Sequence, residues 1–68
     1  MMETPMSQAF FEGRSKELAI EMEVCRQEIA SAAQRRMDIE MLRWVKKFRS
    51  ANRSFVILWR NAVAQGLV

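Results

Sequence analysis

Sixty-eight residues, half of them hydrophobic, carry eleven Lys or Arg against eight Asp or Glu, with no histidine and one cysteine, Cys25. A chain of this length makes one domain, and its core rarely supplies more than about 3–5 kcal/mol without a disulfide, a metal or a partner chain. One cysteine forbids an internal disulfide, and without histidine the usual zinc ligand sets and the Ser–His or Cys–His nucleophile pairs cannot be assembled. Self-association is the remaining device, and no enzyme, metal or cofactor chemistry is expected.

In chain order, Thr4 is the expected N-cap of a short first helical turn, with Pro5 at the position where its missing N–H costs nothing. That turn carries Met6, Phe10 and Phe11 and weakens at Gly13, after which Ser15 restarts the helix with Glu17 in its first turn. From Arg14 to Gln65 there is neither glycine nor proline. Such a stretch, rich in Ala, Glu, Arg, Met and Leu, favours helix throughout. Phe11, Leu18, Met22, Cys25 and Ile29 share one narrow stripe, continued by Ala32 and Ala33. The 4-3-4 spacing from Leu18 to Ile29 is that of a coiled-coil seam, so Leu18, Met22, Cys25 and Ile29 are the expected dimer interface. Ile20 and Val24 lie opposite this seam and imply a second neighbour.

From Met37 the apolar face returns, rotated by roughly 100° about the helix axis. It runs through Met41, Trp44, Phe48, Phe55, Leu58, Trp59, Ala62 and Val63 and is wider than the ~100° of an ordinary surface helix. Two places could hold the turn between helices. Ser50–Ser54 concentrates poor helix formers around Asn52 and is favoured, giving a long helix near 15–49 and a shorter one near 54–65. The capping-box-like Ser31-Ala32-Ala33-Gln34 is the alternative, with the turn within 31–37. Gly66 should end the last helix, with Leu67 folding back on it. The expected fold is all-α: a single domain over 1–68, a helical hairpin of one long and one shorter helix after a short N-terminal helical turn, homodimeric.

Charge is partitioned along the chain. Residues 1–34 hold six acidic and three basic side chains, and residues 35–68 hold two acidic and eight basic. The basic half could face an external ligand, or it could complement Glu17, Glu21, Glu23 and Glu28 on a neighbouring helix. Within it, Phe55-Val56-Ile57-Leu58-Trp59 is apolar in every direction round a helix. Arg53, Phe55, Ile57, Trp59 and Arg60 form the expected partner-binding set, because tryptophan and arginine are enriched among binding hot spots.

These features favour a small protein-binding module. A basic helical regulator that contacts an RNA or DNA backbone is the alternative. Membrane-surface binding is disfavoured, because the apolar arc is better used in a protein core, and the longest charge-free runs fall far short of the ~20 residues of a span. The start Met1-Met2-Glu3 lacks the basic and apolar stretches of a secretion signal, which with an unpaired cysteine points to the cytoplasm. The helical-hairpin pattern of Leu18–Ile29 and Phe55–Trp59 resembles small phage-encoded helical inhibitors such as quorum-sensing anti-activators. That resemblance implies a dimeric inhibitor that binds a host transcription regulator.

Overall fold

Ser7 starts the first helix. Its backbone is extended (φ −77°, ψ 152°) and its Oγ accepts a hydrogen bond from the Phe10 N–H at 3.0 Å, which satisfies one of the orphan donors of the first turn. The helix runs unbroken from Gln8 to Gln34 (α1). A computed structural model describes residues 5–68, and within them a second helix, α2 (Asp38–Ala64), folds back antiparallel on the first. Both helices are 27 residues long.

The expected cap Thr4 lies outside the described residues. Among the described residues α1 runs without a break through Gly13, which meets nothing in the space a Cβ would take. Two expectations change here. The turn is at Arg35–Met37, so the hairpin has two equal arms in place of a long and a short one. Ser50–Ser54 is helical, and Ala51 within it is buried in the core between the helices. The small Ala51 side chain leaves room at the helix–helix contact, while Ser50, Asn52 and Arg53 are exposed on the outside of α2.

The turn closes as a Schellman motif. Arg36 adopts the left-handed conformation (φ 56°), its N–H bonds to the Ala33 carbonyl at 3.1 Å, and the Met37 N–H bonds to the Ala32 carbonyl at 2.9 Å. Asp38 and Glu40 then stand in the first turn of α2, where the helix dipole favours negative charge. At the far end Gly66 (φ 76°) repeats the motif, with Gly66 N–H to Val63 at 3.1 Å and Leu67 N–H to Ala62 at 2.9 Å. Leu67 packs back against the core, as expected.

Phe11, Leu18, Ala51, Leu58 and Ala62 form the buried cluster, with Met6, Met22, Phe55 and Leu67 packed against it. Cys25 and Ala32 are buried as well. The seam expected at a subunit boundary therefore has a nearer partner. Leu18 and Cys25 are 1% and 2% exposed within one chain, covered by its own α2, and Met22 and Ile29 are half-buried. The seam period is real, but an antiparallel hairpin uses it as well as a dimer does.

The hairpin measures 48 × 21 × 13 Å with a radius of gyration of 15.2 Å, against about 11 Å for an ordinary domain of this length. It is one layer of helix thick, whereas a domain usually packs two. Apolar side chains consequently remain on its surface, Ile39 at 74%, Val63 at 59% and Phe10 at 58% exposure among them. No described helix is long and apolar enough to cross a membrane.

Candidate protein-binding surface

Trp59 is the best-positioned aromatic on the surface. Its ring meets Phe11 of α1 edge-on, with centroids 5.0 Å apart and planes at 77°, and tilts against Phe55 at 5.8 Å. Its indole N–H donates to the Ser15 Oγ at 3.2 Å. Ser15, expected to cap a restarted helix, lies within α1 and holds the indole. An aromatic pinned at three points loses little freedom on binding a further group, and Trp59 is still more than a third exposed.

Along α2, residues three and four apart share a face. Val56 and Val63 therefore flank Trp59, and these three with Phe55 and Arg60 line an open, almost wholly apolar groove of about 380 Å³. Of the expected partner-binding set, Phe55, Trp59 and Arg60 meet in this groove. Arg53 and Ile57 do not. They line a separate groove of about 340 Å³ with Lys46, Arg49, Ser50 and Ser54, because a side chain two positions from Trp59 points away from it. Val56 and Val63 were not in the expected set. Their spacing from Trp59, three back and four on, is the signal that places them.

A third depression, lined by Ile39, Leu42, Arg43, Val45, Lys46 and Arg49, continues the basic side of α2 toward the turn. Among the described residues the ion pairs are local: Arg14–Glu17 at 3.0 Å, Arg26–Glu23, and Arg35–Glu40 at 3.7 Å. None joins a carboxylate of α1 to a cation of α2, so the internal complement considered for the two halves makes no ion pair. Arg43, Lys46, Lys47, Arg49, Arg53 and Arg60 have no carboxylate partner among the described residues. Lys47 instead sits 4.4 Å over the Trp44 ring, a cation–π contact. Glu23 is biased toward its charged form by its neighbour Arg26. Its carboxyl is held below the ordinary glutamate value, first by the hydrogen bond from Arg26 and then by that residue's charge.

Compared with protein-family models, curated proteins and solved structures, the chain matches none. The surface itself therefore carries the functional reading. Its open grooves are lined by apolar and cationic side chains, and no group of three or more His, Cys, Asp or Glu gathers among the described residues. Chemically it can bury an apolar side chain beside a carboxylate.

Proposed function

We propose that the chain is a small protein-binding module: a dimeric inhibitor or adaptor that occupies the surface of another protein, such as a transcription regulator, and performs no chemistry of its own. The observation that carries this reading is the Trp59 groove, an apolar channel on a rigid helix with Arg60 at its rim. Its occupant is an amphipathic helix with an acidic edge, whose apolar side chains enter between Val56, Trp59 and Val63 while a carboxylate meets Arg60. A reducing compartment such as the cytoplasm suits the free Cys25 thiol.

Capture on immobilised chain from a nuclease-treated lysate of the native host tests it. Wild type should retain a discrete protein, and V56E/V63E and R60E should lose it while keeping their helical circular dichroism. Equal retention by those variants would exclude the groove. The second reading, binding to a nucleic-acid backbone, has in its favour the cations of α2 that make no ion pair among the described residues. It expects retention of nucleic acid without nuclease, falling steeply with salt. It is the weaker, because the same cations stand among exposed Ile39, Leu42 and Ile57.

A further inference from the structure

The hairpin has two broad faces, and they differ. Trp59 and Phe48 of α2 lie on the same side as Ser15, Ala19 and Arg26 of α1. At about 100° per residue, the opposite flanks of both helices share the other face. There α1 places Glu17, Glu21 and Glu28 beside exposed Phe10 and Val24, with Ile20 at the edge. On that face α2 places Arg43, Lys46 and Arg53 beside exposed Ile39 and Ile57. The two rows do not neutralise each other. Glu17 pairs with Arg14 of its own helix, and Glu21, Glu28 and the three cations make no ion pair among the described residues.

We propose that a second copy of the chain covers this face, in a four-helix bundle whose two-fold axis runs parallel to the helices. Charge selects that axis. Turned about it, α1 of each copy lies antiparallel over α2 of the other, and the acidic row meets the basic row. Turned about an axis across the helices, α1 would lie on α1 and α2 on α2, like charge on like. An axis parallel to the helices also leaves height along them unchanged, so the levels within one chain carry over between copies. Phe11 stands level with Trp59 and Met22 with Phe48. Glu28 of one copy thus stands level with Arg43 of the other, a turn from Lys46, and Glu21 stands level with Ser50, a turn from Arg53. A face of 48 by 21 Å is large enough for the roughly 800 Å² that each partner buries in a stable interface. The arrangement rests on the dimeric part of the reading above and not on the Trp59 groove. It leaves both copies of that groove open, on opposite outer sides of the bundle.

Sedimentation of the wild type and of two charge-reversed chains, E21K/E28K and R43E/R53E, tests the assignment. Wild type should be a dimer that weakens with salt. Either variant alone should dimerise at least about tenfold more weakly. An equimolar mixture should recover a heterodimer, since lysine then meets glutamate in one half and glutamate meets arginine in the other. Should a variant lose helicity, carbodiimide coupling of Glu28 to Lys46 across a mixture of ¹⁴N and ¹⁵N wild-type chains replaces it, and an inter-copy link is expected. A monomeric wild type, a dimer that both charge variants retain, or the absence of that link overturns the proposal. So does a dimer lost in V56E/V63E but kept in the charge variants, which would put the interface on the Trp59 face. Failure to capture a protein from the lysate would leave the sedimentation result intact, so the two readings fall separately.

Discussion

Ser15 and Cys25 show how much a single atom decides in so thin a core. The Ser15 Oγ accepts the Trp59 indole N–H from a position within α1. Ser15→Ala should therefore leave the helical signal unchanged, shift Trp59 emission, and cost about 0.5–1.5 kcal/mol in denaturant unfolding, the usual net worth of such a bond. A loss of helicity would mean that the serine acts as a cap after all. Cys25 is 2% exposed on the seam, where Cys25→Ser would bury a hydroxyl among apolar groups. A loss of about 1–3 kcal/mol is expected on urea unfolding. Native Cys25 should resist a thiol reagent until denaturant exposes it. Glu23 adds a pH-dependent contribution. Because its pKa falls on folding, the Arg26 pair stabilises α1 above the ordinary glutamate range, and the gain is lost as acid carries the pH down through the lowered value. Arg26→Ala should remove that acid-side step from a helicity titration.

The two helix ends are built alike but read very differently in the sequence. Gly66 announces its left-handed conformation, and the reading of Gly66 and Leu67 matches the hydrogen bonds found. Arg36 takes the same conformation without any residue-type signal, while Asn52, which tolerates it, is helical. Intrinsic preference is worth about 1–2 kcal/mol at such a site, and burial of Ala51, Leu58 and Ala62 on a continuous α2 outweighs it. Arg36→Gly should consequently raise stability by about 0.5–1 kcal/mol, and Arg36→Val should lower it, both measured by chemical denaturation. The all-helical hairpin and the Leu18–Ile29 stripe were legible because period and composition report them directly. Whether a stripe meets its own chain or another copy is not a property of period. That is why Leu18 and Cys25 read as a subunit boundary and fold as an internal seam.

At the scale of the molecule, one layer of helix leaves two broad faces, and the chain writes a different chemistry on each. Of the five residues expected to act together, Phe55, Trp59 and Arg60 line one groove, but Arg53 and Ile57 turn to the other. A run of five apolar residues hides this division, because consecutive positions on a helix are about 100° apart. The cations of α2 were visible as a net charge. Their lack of partners on α1 became visible only once both helices were placed. A further check belongs at this scale. Ala62 is fully buried where the helices meet, so Ala62→Leu should overpack that contact and cost about 1–3 kcal/mol in thermal or urea unfolding. The same change at exposed Ala64 should stay within about 0.5 kcal/mol.

The position of the two tryptophans has a kinetic consequence. Trp44 lies about two turns into α2 beside Lys47, in the half of the helix toward the turn, and Trp59 lies near the open end against Phe11. Fifteen residues separate them, about 22 Å along the helix. Closing the hairpin at Trp44 gathers a short loop, whereas closing it at Trp59 gathers nearly the whole chain, and longer loops close at greater entropic cost. The molecule thus carries a fluorescent reporter at each end of a zipper. In Trp59→Phe and Trp44→Phe chains studied by temperature jump, zipping from the turn predicts that Trp44 reaches its native emission first. Coincident relaxation of the two would mark a single cooperative closure of both ends.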